Sequence, residues 1–388
     1  MGKTLSEIAQ QLQDSEKKVQ LIYAFNGVGK TRLSREFKEL ISPKTESEED
    51  GDSKNKVLYY NAFTEDLFYW DNDLENDVNR KLVIQPNSFT DWILKEEGKE
   101  GDIVAHFAHY TNSKTTPQYS PDFSEVTFYV PGQSDPETNK IKISKGEESN
   151  FIWCVFYSML ESVIGELNEP QDNRSTNRFD ELKYIFIDDP VSSLDENHLI
   201  ELAVDLANLV KGSKSELKFI ITTHSPLFYN VLCSELSIKD ETSGYRPRQM
   251  KKSMLKKTDN GEFDFDDLDS DVPFSYHLFL LSELNDAINN DCIQKYHFNS
   301  LRNILEKTSS FLGYHNWGIL LDECNREYQS RMINLCSHSK ISWEEVPFVK
   351  AEEKAMLFDI INFLRETYHF KIKPNLNVVT TPPPPTKD

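Results

Sequence analysis

The 388-residue chain lacks any apolar run approaching the ~18 residues that cross a bilayer, and its amino terminus lacks the apolar core of a signal peptide. A soluble protein of the cytoplasm, with no membrane partner, is therefore expected. Cys-x-x-Cys pairs are missing, and the cysteines number five: Cys154, Cys233, Cys292, Cys324 and Cys336. An odd count without paired spacing argues against a disulfide framework and against a zinc hook. Five reduced thiols buried as small hydrophobes are expected instead. There is no internal repeat, no long heptad run and no Asn-Lys-x-Asp sequence to specify guanine. Positive charge is also scarce: 43 Lys+Arg stand against 64 Asp+Glu, a net of −21. That balance opposes a polyanionic partner over most of the surface.

The deficit is uneven. Residues 248–388 carry 17 basic and 21 acidic side chains, a net of −4, which leaves −17 on the first 247. Between Arg246 and Lys257 lie Arg246, Arg248, Lys251, Lys252, Lys256 and Lys257 with no acid among them. A solvated linker and a phosphate-contacting patch both fit this run. Hydrophobic content of 38% and charge of 28% describe a folded globular chain.

Apolar runs at Val19–Phe25, Val57–Tyr60, Glu125–Val130, Tyr184–Ile187 and Phe219–Ile221 read as strands. Helical patterns lie between them, at Thr31–Leu40, Phe151–Ile164 and His198–Val210. Continuous apolar strands alternating with helices predict an α/β fold around a parallel sheet buried on both faces. The polar, acidic residues 41–56 read as an exposed loop, and Asp259–Asp271 as an acidic stretch. Helical patterns then take over, at Tyr276–Asn289, Tyr296–Leu312, Asn316–Ile333 and Glu352–Tyr368, ahead of a tail with four prolines from Pro382. A boundary near residue 247 is expected, giving an α/β domain over 1–247 and a mainly helical domain over 248–388.

Four motifs in order, at residues 24–31, 144–149, 184–195 and 220–226, point to a nucleoside triphosphate. The first, Ala24-Phe25-Asn26-Gly27-Val28-Gly29-Lys30-Thr31, follows a strand and opens a helix. Backbone amides of Asn26, Gly27, Val28, Gly29 and Lys30 can cradle phosphate oxygens, because glycine removes the steric bar to a tight anion nest. Lys30 supplies charge to the outer phosphates, and Thr31 offers its hydroxyl to Mg²⁺. Asp188, closing the Tyr184–Ile187 strand, is expected to hold Mg²⁺ through water, with Asp189 orienting the attacking water. Ser193-Leu194-Asp195 follows, and Asp195 joins the expected nucleotide-binding set. His224, in Thr222-Thr223-His224-Ser225-Pro226, sits where a γ-phosphate contact is expected.

Together with Ser144-Lys145-Gly146-Glu147, this set resembles the ATP-binding-cassette class, in particular its soluble heads in DNA-break repair and chromosome maintenance, over residues 19–235. The resemblance implies an SMC-head-like NTPase fold. Ser144, Lys145, Gly146 and Glu147 look like a variant of that class's Ser-Gly-Gly-Gln signature, and Asp189 stands where Glu is usual. In the class, the signature of one head completes the phosphate loop of another, which implies a homo-oligomer, a dimer of heads or higher. For the glutamine loop, Asn61 and Gln85 both remain candidates.

In the helical part, Arg302 and Glu306 stand four apart on one helix and are therefore neighbours. An ordinary surface ion pair is one reading, although Arg before Glu is the weaker order for helix support. His338 follows in Ser337-His338-Ser339. Residues Tyr59–Trp70, Lys145–Phe151 and the Arg302-x3-Glu306…His338 set closely resemble the PrrC family of anticodon nucleases, over essentially the whole chain. The resemblance implies an endoribonuclease that cuts tRNA-Lys in the anticodon loop through Arg302, Glu306 and His338, with no metal at the nuclease site. It implies Asp269, in the acidic segment before Phe274-Ser275-Tyr276-His277-Leu278, as a contact to the anticodon; a solvated acidic loop is the other reading. It further implies GTP or ATP with Mg²⁺ at the NTPase site, and dTTP as a stabilising nucleotide. A type I restriction–modification complex that holds the toxin latent and a phage-encoded activator peptide are implied as partners.

Two other functions compete on the sequence alone. A DNA-repair ATPase head predicts long arms between the phosphate loop and the signature, for which too few residues are available. An NTP-sensing regulatory subunit would use its carboxy-terminal domain only to dock a partner.

Overall fold

The computed structural model describes residues 2–43, 56–61, 67–71, 80–111, 115–131, 140–190, 196–258, 260–268, 276–321, 325–338 and 349–370. Asp195, Asp269, Cys324 and most of the polar loop at 41–56 lie outside these residues. The chain divides into two compact units, Met1–Val272 and Pro273–Asp388.

The first unit opens with α1 (Leu5–Asp14), started by a Thr4–Glu7 capping box, then β1 (Val19–Tyr23) and α2 (Lys30–Ile41). Next come β2 (Val57–Asn61), β3 (Phe68–Asp71), β4 (Lys81–Ile84), the short α3 (Ser88–Asp91) continued by a wider turn over Trp92–Glu96, and α4 (Glu100–Thr111). Strands β5 (Thr116–Tyr119) and β6 (Glu125–Tyr129) precede the long α5 (Lys145–Asn168). The unit continues through β7 (Tyr184–Asp188), α6 (Glu196–Gly212), β8 (Lys218–Thr223), α7 (Pro226–Leu236), β9 (Met250–Lys257) and β10 (Phe263–Asp267).

Six strands form the main sheet in the order β10-β9-β1-β8-β7-β2. Five are parallel; β10 alone runs antiparallel, against β9. Strands β1 and β7 are buried at every residue, which is why they read as unbroken apolar runs. Helices α1 and α2 cover one face, setting Ile8, Leu12, Leu33 and Phe37 against Ile22, Phe186 and Ile220. The parallel registers bring Tyr23 level with Thr223, and Asp188 level with Thr222. The loops after β1, β7 and β8 therefore open at one edge of the sheet, where ligands of open α/β sheets bind.

Between α2 and α5 the chain builds a separate antiparallel sheet, β3-β4-β6-β5, together with α4. The run at 125–130 is thus a strand, as expected, but of this second sheet. Long coiled arms do not form among the described residues of this segment.

The expected boundary near residue 247 is displaced to Val272/Pro273. The basic run from Arg246 to Lys257 is neither linker nor loop: most of it is β9, parallel to β1, with Ser253, Met254 and Leu255 buried. Part of the acidic stretch that follows is β10, whose Asp267 pairs with Lys251 at 2.9 Å. Opposite charges on facing strands stabilise such an edge.

The second unit is helical among its described residues: α8 (Tyr276–Asn289), α9 (Tyr296–Phe311), a 3₁₀ turn at Trp317–Leu320, α10 (Arg326–His338) and α11 (Ala351–Tyr368). The single helix expected over 316–333 is this turn followed by α10. Leu284, Phe298, Leu301, Leu305, Ile333, Leu357 and Leu364 join its own core. Of the cysteines, Cys154 is buried as expected, Cys233 is half-buried, and Cys292 is exposed, contrary to expectation.

Candidate nucleotide site and candidate nuclease site

The turn after β1 needs its glycines. Gly27 has φ +79° and Gly29 φ +122°, in the region that L side chains rarely adopt. Gly29 is also the N-cap of α2 and makes no side-chain cap, so the first-turn amides of that helix are left to an anion. Small Ala24 is fully buried, and its N–H donates to the Thr223 carbonyl at 3.0 Å.

Lys30 is only 7% exposed and folds back along its own loop. Its ammonium donates to the carbonyls of Ala24 (3.2 Å) and Phe25 (3.3 Å) and to Asn26 Oδ1 (3.3 Å). It also lies 3.3 Å from Asp189 Oδ2.

The two adjacent carboxylates differ in environment. Asp188 accepts from Thr31 Oγ1 on Oδ2 and from Thr222 Oγ1 on Oδ1, both at 2.7 Å. Burial pushes its carboxyl up, and the neighbouring Asp189 charge adds to that, against hydrogen bonds that pull it down. Asp189 is equally sequestered, in a left-handed backbone with φ +53°. Its burial is outweighed by the His224 hydrogen bonds and the Lys30 charge, which hold its carboxyl low. His224 Nδ1 lies 2.8 Å and 2.6 Å from the two Asp189 oxygens, and the His224 N–H donates to Oδ1 at 3.2 Å. Lys30, Asp189 and His224 thus form one chain of charge-assisted contacts. The sequence placed Asp189 on the attacking water; the structure adds that its carboxylate is tied on both sides.

Ser144 is the N-cap of α5 and Glu147 its third residue. Their reciprocal bonds, Ser144 N to Glu147 Oε2 at 2.8 Å and Glu147 N to Ser144 Oγ at 3.2 Å, complete a capping box. Lys145 pairs with Glu148 at 2.9 Å, and Trp70 Nε1 on β3 donates to Glu148 Oε2 at 2.8 Å. The Ser-Lys-Gly-Glu motif is therefore the start of a 24-residue helix held by the small sheet.

In the second unit, Arg302 Nε donates to Glu306 Oε1 at 2.8 Å on α9. The same guanidinium reaches α10, donating to Asn334 Oδ1 at 3.2 Å, and lies 5.9 Å from the Trp317 ring centroid. Three neighbours thus fix its plane. His338 stands four residues after Asn334 on α10, one turn along the helix. A guanidinium and a carboxylate are in contact, and the histidine's helix is bonded to them.

Asn334 and Trp317 went unremarked in the sequence, and Tyr59 and Trp70 were noted there only as the ends of a family-like stretch; their contacts span 15 to 129 positions. Asn61, weighed for the glutamine loop, donates to Tyr59 OH at 3.1 Å, and that phenol reaches the Asp188 carboxylate.

A model of the AAA-domain family matches residues 122–356, more than half of the chain. The class is thus that of AAA-domain proteins with an α/β NTPase fold. The anticodon nuclease of Escherichia coli is 50% identical over 399 residues, spanning 95% of this chain and 98% of that protein. The chain belongs to the anticodon nuclease family. Among solved structures, an SMC head bound to the C-winged-helix domain of ScpA superposes with a TM-score of 0.32 at 11% identity, covering 66% of this chain and 90% of that one. The SMC head domain from Thermotoga maritima gives 0.29 at 13% identity, covering 66% and 91%. The architecture described above stands on its own sheet order and contacts rather than on these superpositions.

Proposed function

We propose that this chain is an NTP-regulated endoribonuclease that cuts tRNA-Lys within its anticodon loop. One observation carries the reading: in a member of the anticodon nuclease family, Arg302 contacts Glu306 and is bonded through Asn334 to the helix that bears His338.

RNA brings its own nucleophile, the ribose 2′-hydroxyl, so the reaction requires no metal. The O2′–P bond forms and the P–O5′ bond breaks. One group takes the 2′ proton and another protonates the departing O5′. Glu306 as base and His338 as acid complete the cycle, and Arg302 spreads its fork of donors over the phosphorane charge. The ends left are a 2′,3′-cyclic phosphate and a 5′-hydroxyl. Asp269 is the candidate contact to the anticodon.

In the first unit the amides of residues 26–30 receive the phosphates of GTP or ATP, assisted by Lys30 and His224, with Asp195 in the same set. Thr31 and Asp188 present hard oxygen donors, which fit Mg²⁺. When bound, that ion neutralises charge on the phosphates. Asp189 orients the hydrolytic water. Ser144–Glu147 of a second copy completes the site, so the working form is a homo-oligomer. We assign dTTP to stabilising the active form, and a type I restriction–modification complex, disarmed by a phage-encoded peptide, to holding it latent. No described helix is long and apolar enough to cross a membrane, which fits action on tRNA in the cytoplasm.

Incubating the purified protein with tRNA-Lys and GTP, then mapping the ends, tests the reading. Cleavage in the anticodon loop with a cyclic phosphate is expected. Intact tRNA in every nucleotide state would leave only a docking role for the second unit.

A further inference from the structure

The hydroxyl of Tyr59 meets the Asp188 carboxylate although no nucleotide-handling motif contains it. Tyr59 lies on β2 opposite Phe186 of β7, two residues short of the Asn61–Asp188 pair. Residues two apart on a strand share a face, so its ring runs forward beside β7 toward the end of the sheet. Its ring lies beside that of Phe186, with centroids 6.2 Å apart and planes tilted by 58°. At the tip, the phenol donates to Asp188 Oδ2 at 3.3 Å, with Ser34 Oγ and Asn61 Nδ2 each 3.1 Å from it. Ser34 also donates to the Thr31 carbonyl at 2.8 Å, tying this network to the residue that offers a hydroxyl to the metal.

An ionised carboxylate offers about four acceptor positions. Among the described residues, Thr31 and Tyr59 take two on Oδ2 and Thr222 takes one on Oδ1. The carboxylate is thereby fixed in rotation, with one position left for a water of the metal's shell. Without Tyr59, Oδ2 loses the donor that comes from outside the phosphate loop and its partner strand.

We propose that Tyr59 is a positioning residue for the metal-binding carboxylate: it holds Asp188 in the orientation that receives the hydrated divalent cation of a bound nucleoside triphosphate. This rests on the nucleotide-site reading above. Outer-shell partners of this kind change metal affinity by about ten- to a hundredfold when removed.

The test is a Mg²⁺ titration of fluorescent GTP-analogue binding by the full chain, wild type against Tyr59→Phe, with a parallel measurement in EDTA. Phe keeps the ring packing and deletes only the hydroxyl. The expected result is a rise of about tenfold in the Mg²⁺ needed for half-maximal binding, with the EDTA affinity unchanged. Ser34→Ala, which touches the phenol but not the carboxylate, is expected to shift the Mg²⁺ requirement less. An unchanged Mg²⁺ requirement in Tyr59→Phe overturns the role of Tyr59 alone. So does an equal loss of affinity with and without Mg²⁺, which marks a packing role. Failure of the wild type to bind in either condition overturns the nucleotide-site reading and this role with it.

Discussion

Arg302 and Asn334 join two helices of the second unit through a hydrogen bond of 3.2 Å, from a guanidinium that simultaneously donates to Glu306 at 2.8 Å. A solvated ion pair on one helix needs no such tie to a neighbouring helix. Asn334→Ala leaves the Arg302–Glu306 pair and the Trp317 contact but removes the guanidinium's tie to α10. Cleavage of tRNA is expected to slow by about tenfold, within the range that small misplacements cause. Nucleotide hydrolysis should stay at the wild-type rate. Single-turnover cleavage at saturating enzyme reads the effect directly, and an unaltered rate would show that Asn334 positions nothing.

His338→Ala removes one of the two proposed proton-transfer groups. General acid–base catalysis contributes about 10²–10⁴-fold, so cleavage should become undetectable in ordinary assays. The nucleotide site belongs to the other unit, and its hydrolysis should remain near normal. Unimpaired RNA cutting by this variant contradicts the assignment.

Asp189 bridges Lys30 and His224. Asp189→Asn keeps the shape and a hydrogen-bonding oxygen but deletes the charge proposed to orient water. Hydrolysis of GTP and ATP is expected to fall by about a hundredfold or more. Binding should survive, because Lys30 no longer shares its charge with a carboxylate. Steady-state phosphate release, set beside nucleotide affinity, separates the two effects; equal losses in both would mean that Asp189 acts only structurally.

His277 is half-buried, and burial holds its imidazole below the ordinary 6.5. On acidification the unfolded chain takes up this proton before the folded one does. The folded state therefore loses stability as pH falls from 6.5 toward the lowered value, and loses no more below it. Thermal unfolding at pH 7.5 and 5.5 should show a smaller drop in Tm for His277→Gln than for the wild type. Equal drops would remove His277 from the acid response.

The parts legible in the sequence were those written in local chemistry. Strands β1, β7 and β8 are buried on both faces, so their apolar runs announced them. The phosphate loop was legible because Gly27 and Gly29 meet a backbone demand that few other residues satisfy. Strands β9 and β10 were hidden because charge dominates them: only Ser253, Met254 and Leu255 of β9 are buried, and the lysines around them read as linker. The clue was the acidic run that follows, which pairs with them across the edge. Tyr59, Asn334 and Trp317 act through contacts made by folding, and nothing local distinguishes them from other aromatic or amide residues. Asp195 and Asp269 fall outside the described residues and remain sequence-based proposals.

The most direct test of the central claim is end-mapping of tRNA-Lys after incubation with wild-type protein and GTP. Cuts confined to the anticodon loop, ending in a 2′,3′-cyclic phosphate and a 5′-hydroxyl, are the expected result. Cuts elsewhere, or ends bearing a 3′-hydroxyl and a 5′-phosphate, contradict the proposed trio of Arg302, Glu306 and His338 working on the ribose's own hydroxyl.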